Sequence, residues 1–151
     1  MRLAIGSDHA GYDLKVFLRD RIASHGVEVH DVGADRLEPG DDYPDFARAV
    51  AESVIRGESD LGIMICSTGV GSCIAANKVR GIRAALCHDT FSARMSRLHN
   101  DANVLCLGAS VLGAALAGEI VGTWIGEAFS GGERHRRRLD KVANIETRRG
   151  E

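Results

Sequence analysis

Leu61-Gly62-Ile63-Met64-Ile65-Cys66-Ser67-Thr68-Gly69-Val70-Gly71 is a short apolar run closed by a turn of small residues, the pattern of a buried strand passing directly into a helix. Four more apolar runs, near residues 2–6, 27–32, 83–87 and 104–107, alternate with longer stretches of helical period. That alternation predicts a Rossmann-like α/β fold: a three-layer α/β/α sandwich whose five parallel strands are flanked by helices. Open sheets of this kind bind ligands beyond the carboxyl ends of their strands. Reactive side chains just after the first and third runs therefore carry the functional question.

The helical stretches say which faces should cover the sheet. The first sets Leu14, Phe17, Leu18 and Ile22 on one side, the second Phe46, Ala47, Val50, Ala51 and Val54, and the fourth Phe91, Met95 and Leu98. Gly26 and Gly57 stand where left-handed caps close the first two helices, and Asp89-Thr90 offers a cap before the fourth. From Gly33 to Pro44 the chain is polar, with Pro39-Gly40 and Asp41-Asp42, which predicts an exposed loop at the border of a site and a helix starting at Pro44. A fifth helix is expected over Val111–Glu127, through Leu112, Leu116, Ile120 and Trp124. After Ser130-Gly131-Gly132 comes a last, basic helix, reaching residue 148, expected to pack at the site or at a dimer interface. No linker divides residues 1–151, which read as one domain.

With 19 basic and 21 acidic residues the net charge is −2, so no global positive field recommends nucleic acid or an anionic membrane as partner. The chain enters its first strand without a basic-then-apolar leader, and no apolar stretch approaches the ~18 residues of a membrane span. A soluble, cytoplasmic protein is expected. Cys66, Cys73, Cys87 and Cys106 form no Cys-x-x-Cys pair and have no histidine at zinc-ligand spacing, so no metal is expected. Cys87 and Cys106 lie within apolar runs and read as buried thiols.

The chemistry concentrates at two turns. Gly69-Val70-Gly71 follows a strand, so a helix starting there aims backbone N–H groups into the cleft, where they can hold an oxyanion. Such a triplet is also what any close strand-to-helix turn requires. Cys66 changes the balance, because a thiol beside the positive helix end is drawn toward its thiolate and can serve as a base. Asp8-His9 follows the first run and should face the same cleft, with Asp8 able to accept from sugar hydroxyls. The pair is equally suited to capping a helix. His99-Asn100-Asp101 closes the fourth helix, where a histidine is often only a dipole contact. His25, His30, His88 and His135 show no partner pattern and read as structural. On the last helix, Arg134, Arg138 and Lys141 share a face that suits a phosphate dianion, although a solvated charged face is the commoner meaning of such a run.

Gly6-Ser7-Asp8-His9-Ala10-Gly11, Asp42-Tyr43-Pro44, Cys66 to Gly71, Ile74-Ala75-Ala76-Asn77-Lys78, Gly81-Ile82-Arg83-Ala84 and Ser96 to Val104 together resemble the type B ribose-5-phosphate isomerase family, which includes galactose-6-phosphate isomerase subunits. The resemblance runs in order from residue 2 to about 148, and a spaced set of this kind is far more specific than any one motif. It implies interconversion of aldose and ketose phosphates without metal or organic cofactor, in a homodimer or tetramer whose site is shared between subunits. By the same resemblance Cys66 removes the proton beside the carbonyl, Thr68 passes protons between the enediolate oxygens, and Ser67 with the amides of Gly69, Val70 and Gly71 surrounds the developing charge. His99 opens the cyclic sugar, with Asp8 near its ring oxygen; Tyr43 and Asn100 line the sugar; His9, Arg134 and Arg138 hold the phosphate.

One position departs from the pattern. Many members carry an arginine after strand five that reaches phosphate, whereas Ser110 stands there in this chain, able to donate one hydrogen bond but lacking the charged fork. Arg136 and Arg137 are neighbouring cations that the sequence does not place in the site. The default reaction is ribose 5-phosphate to ribulose 5-phosphate. The alternatives are isomerisation of a tetrulose 4-phosphate, allose 6-phosphate or galactose 6-phosphate, since pocket shape sets sugar length, or sugar-phosphate binding without turnover. A pure binder has no need for a base paired with a ring-opening acid. Gly6 to Gly11 does not fit the dinucleotide fingerprint G-x-G-x-x-G, and spacing shows no resolving cysteine for a redox sensor.

Overall fold

Alternation along each strand decides which layer a side chain joins. The computed structural model describes residues 1–148; residues 149–151 of the expected domain lie outside the described residues. In chain order the elements are β1 (Arg2–Ser7), α1 (Tyr12–Ala23), β2 (Glu28–Asp31), α2 (Tyr43–Ile55), β3 (Leu61–Cys66), α3 (Val70–Ala76), β4 (Ala84–Leu86), α4 (Thr90–Asn100), β5 (Val104–Gly108), α5 (Ala114–Gly126) and α6 (Glu133–Arg148). The five strands pair in parallel in the order β2-β1-β3-β5-β4. Leu3, Ile5, Ile63, Ile65, Leu105 and Leu107 point to the face covered by α1, α4 and α5. Ala4, Met64, Val104 and Cys106 point to the face covered by α2 and α3. The three layers expected from the apolar runs are therefore present.

Because β1 leads outward to β2 while β3 lies on its other side, the chain reverses direction across the sheet between β1 and β3, and a crevice opens beyond their carboxyl ends. Asp8 and Cys66 sit there. Both left-handed caps form, Gly26 at φ 78° and Gly57 at φ 70°, and Asp89 accepts the Ser92 N–H at 2.7 Å to start α4.

Three expectations about helix faces need correction. Phe17 is exposed and Lys15 is buried in its place on α1. The Lys15 stem crosses the apolar face so that its ammonium reaches Asp31 Oδ1 at 2.9 Å and the Ala34 carbonyl, anchoring the start of the 33–42 loop. On α4 the inward residues are Ala93 and Ser96, Phe91 is 73% exposed, and Met95 and Leu98 are half-buried. The face turns because the fully buried Trp124 of α5 needs a small, polar neighbour: its ring N–H donates to Ser96 Oγ at 3.2 Å. Finally, α5 begins at Ala114 rather than Val111, and Leu116 is exposed while Leu112, Ile120 and Trp124 are buried.

Trp124 is the largest fully buried side chain, and the Arg97 guanidinium lies 5.4 Å from its ring. Trp124→Ala is expected to lower the unfolding free energy by about 3–5 kcal/mol, the usual cost of emptying an aromatic core site. Urea unfolding should show this as a fall in midpoint at unchanged slope.

Candidate active site

At the end of β1, Asp8 Oδ1 accepts the Gly11 N–H at 3.1 Å and so caps a single 3-10 turn, His9–Gly11. Gly11 is required, since a Cβ there would stand 2.7 Å from the Ile65 carbonyl oxygen. The turn can then press against β3 and bring Asp8 beside the third strand. Burial pushes the Asp8 carboxyl above its ordinary value, partly offset by the Gly11 N–H and by His9. His9 is tied to the 33–42 loop: its backbone N–H and its Nδ1 both meet Asp41 Oδ1, at 2.9 and 2.7 Å. The hydrogen bond that its ring donates to Asp41 raises the His9 imidazole above its ordinary value. Asp8, His9 and Asp41 each place one ligand-type atom within 4.8 Å of the others, but His9 Nδ1 and Asp41 Oδ1 stand at the separation of a shared proton, and the cluster is hydrogen-bonded rather than shaped around an ion.

The turn after β3 is built on Gly69, at φ 78°, where a Cβ would meet Leu86 Cδ1 at 2.5 Å and the Leu107 backbone at 2.9 Å. Only glycine avoids both the left-handed strain and that contact. The Gly69 N–H points at Cys66 Sγ, 3.1 Å away, and Ser72 Oγ lies 3.3 Å from the same sulfur. Cys66 is 4% exposed, yet its sulfur has polar partners rather than a hydrocarbon jacket. The amides expected to face the cleft are fewer than anticipated: the Gly69 N–H goes to the sulfur and the Val70 N–H to Thr68 Oγ1 at 3.3 Å. Tyr43, from the start of α2, lays its ring against Gly71, where a Cβ would come within 2.6 Å of Cζ. Ser67 and Ser110 share a hydrogen bond at 3.0 Å. Asp8, His9, Tyr43, Cys66, Ser67, Thr68, Gly69, Val70 and Gly71 thus occupy the carboxyl-terminal edge of the sheet, beyond the strand ends.

His99 and Asn100 do not join them. A helix that returns antiparallel to its strands ends where the next strand begins, and α4 ends at Asn100, four residues ahead of β5. Cys66 pairs with Gly108 at the far end of β5, so the two groups flank a strand of roughly 13 Å at ~3.3 Å per residue. At this second edge the His99 ring stacks on His135 of α6, centroids 4.2 Å apart and planes within 7°. Desolvation, then the charges of His99, Arg134 and Arg138, lower the His135 imidazole. Arg134 and Arg138 are exposed on α6 beside the stack, as are Arg136 and Arg137.

The sequence alone does not single out Ser72 or Asp41, and it reads His135 as structural. Ser72 lies on the first turn of α3, six residues from Cys66, a spacing that signals nothing until the turn geometry is known. Asp41 was visible only as part of a polar loop, and His135 as one basic residue among several.

The ribose/galactose isomerase family model matches residues 3–142. The chain belongs to that family. It is accordingly an aldose–ketose isomerase by class. Ribose-5-phosphate isomerase B of Escherichia coli is 47% identical over 148 residues, 98% of each chain. D-erythrulose-4-phosphate isomerase of Pectobacterium atrosepticum is 46% identical over 132 residues, 87% of each. The solved structure of Clostridium thermocellum ribose-5-phosphate isomerase B superposes with a TM-score of 0.95 at 53% identity, covering 98% of this chain and 99% of that one. Among ribose/galactose isomerases, then, near-equal likeness extends to a five-carbon and a four-carbon sugar-phosphate enzyme.

Proposed function

We propose that the chain interconverts ribose 5-phosphate and ribulose 5-phosphate, with Cys66 as the base that moves the C2 proton. The observation carrying this reading is the Cys66 sulfur, set between the Gly69 N–H and the Ser72 hydroxyl at the crevice that Asp8 and His9 border. His99 and Asp8 open the furanose, and the linear sugar then lies with C2 at the sulfur. Cys66 takes the C2 proton, Thr68 relays a proton between O1 and O2, and the turn formed by Ser67, Gly69, Val70 and Gly71 faces the enediolate. The same proton returns to C1 to give the ketose. Ser72 suits this exchange: its hydroxyl can donate to Gly69 O, 3.1 Å away, while accepting S–H, and can turn its proton to the sulfur after ionisation. Tyr43 and Asn100 line the sugar, and His9, Arg134 and Arg138 hold its phosphate. No metal or organic cofactor enters these steps.

The site is completed by a second copy of the chain, as a homodimer or a tetramer built from such pairs. Support comes from the two-edge arrangement, because His99, Asn100, Arg134 and Arg138 lie across the sheet from Cys66. The exposed Val142 and Ile145 of α6 and Val70 and Ile74 of α3 give both edges apolar surface for that contact. The reaction is placed in the cytoplasm, where the four free thiols stay reduced. Among the described residues, no helix is long and apolar enough to cross a membrane.

A four-carbon ketose phosphate is the second reading, favoured by Ser110, whose hydroxyl is engaged by Ser67 and brings no charge. Measured kcat/KM across ribose 5-phosphate, erythrulose 4-phosphate, allose 6-phosphate and galactose 6-phosphate decides. Ribose 5-phosphate is expected to lead by about tenfold or more, the order of discrimination one carbon unit permits. A lead for erythrulose 4-phosphate would instead assign the shorter sugar.

A further inference from the structure

Asp41 stands out as a buried carboxylate that none of the proposed catalytic steps uses. Its side chain is only 10% exposed. Both hydrogen bonds it makes go to His9 and fall on one oxygen, Oδ1, while Oδ2 is buried without a partner among the described residues. A carboxylate accepts only, so His9 Nδ1 must be the donor. With Nδ1–H committed, a neutral His9 ring would turn the lone pair of Nε2 outward, toward any bound anion. Only the imidazolium can donate from both nitrogens.

We propose that Asp41 is a positioning residue for the phosphate end of the site, clamping the His9 ring by its backbone and Nδ1 so that a charged Nε2–H meets the phosphate dianion. This rests on the proposed assignment of His9 to phosphate. Asp41 holds the ring from the loop ahead of α2, and Asp8 faces it from the end of β1; the hydrogen bond to Asp41 favours the charged ring most, burial opposes it, and the charges of Asp8 and Asp41 add to the first. Arg134 and Arg138 of a second copy are the cations that binding would bring near. A sugar phosphate becomes a dianion above about pH 6, the second ionisation of a phosphate monoester, whereas a histidine at its ordinary value near 6.5 is losing its charge there. Raising His9 widens the pH interval in which both partners are charged. This compensates for the uncharged Ser110, which is hydrogen-bonded to Ser67 and supplies no guanidinium.

Asp41→Asn keeps an acceptor for both N–H groups but removes the charge. In histidine-labelled protein, with the His9 signal assigned through His9→Gln, the titration midpoint of His9 should fall by about one pH unit in Asp41→Asn, the size of a neighbouring-charge effect. The dissociation constant of inorganic phosphate at pH 7.5 should rise by up to about tenfold, and hardly change at pH 6, as that shift requires. In turnover, KM should rise with the same pH dependence while kcat moves far less. An unchanged His9 midpoint would overturn the proposal, and so would a loss confined to kcat. Should Asp41→Asn fail to fold, the wild-type protein decides: the His9 midpoint must lie above the ordinary value and climb further with phosphate bound, and failure of either rejects the clamp. Absence of turnover on every sugar phosphate would reject the functional reading, while the titration and phosphate measurements would still judge Asp41.

Discussion

Cys66→Ala is expected to reduce kcat by about a thousandfold, within the range that loss of a positioned general base produces, while the protein folds and still binds inorganic phosphate. Neither hydroxyl beside the sulfur can replace it. Ser72 Oγ is close, but a hydroxyl is a far weaker base than a thiolate, and the Thr68 hydroxyl already accepts from Val70. For the same reason Cys66→Ser should recover little. The fold should tolerate alanine, since the change removes one buried atom and Ser72 retains its bond to Gly69 O. The decisive readout is exchange of the C2 hydrogen with solvent deuterium, followed by NMR of the sugar. Exchange continuing at the wild-type rate would show that another group takes the proton. Thiol reagents are a poorer test, because Cys73 competes for them: its neighbour Cys106 draws the Cys73 thiol down to about 7, and contact with Cys73, then burial, pushes that of Cys106 up.

How far the fold could be read from the chain is clearest in particular residues. The strands were legible because both faces of a central parallel strand are buried, so Leu61–Cys66 appears as an unbroken apolar run that no surface helix would show. Gly69 was legible as a turn residue, but the reason for it, the Leu107 backbone on β5, belongs to a strand distant in sequence. Helix faces were harder. On α1 the apolar spacing admits Phe17 as readily as its neighbours, and only Asp31 and Ala34 at the end of β2 explain why Lys15 turns inward. On α4 Phe91, Met95 and Leu98 fit a helical stripe, yet the space beneath is taken by Trp124, and the inward positions go to Ala93 and Ser96. The clamp of Asp41 on His9 spans 32 residues and leaves no local pattern at all.

The separation of the proposed site residues between two edges, by contrast, is implicit in the order of elements, and it leads to the second large effect. Mixing two inactive variants should restore activity. Cys66→Ala disables the edge formed by the ends of β1 and β3; His99→Ala combined with Arg138→Ala disables the edge formed by α4 and α6. If each site takes one edge from each of two copies, random exchange of equal amounts leaves about a quarter of all sites with both edges intact, by the isologous symmetry of a dimer. The fraction is the same in a tetramer assembled from such pairs. Activity should therefore climb from near zero to about 25% of wild type after subunit exchange, as counted by this symmetry, with KM close to the wild-type value because every working site is native. A site contained within one chain predicts no recovery at any mixing ratio, since each chain would then carry a damaged site. The experiment thus distinguishes the two arrangements through rate alone, and the stacked His99 and His135 rings make the reason physical: they fix α6 to the end of α4, so its arginines travel with His99, and the shared site proposed above takes all of them from a second copy.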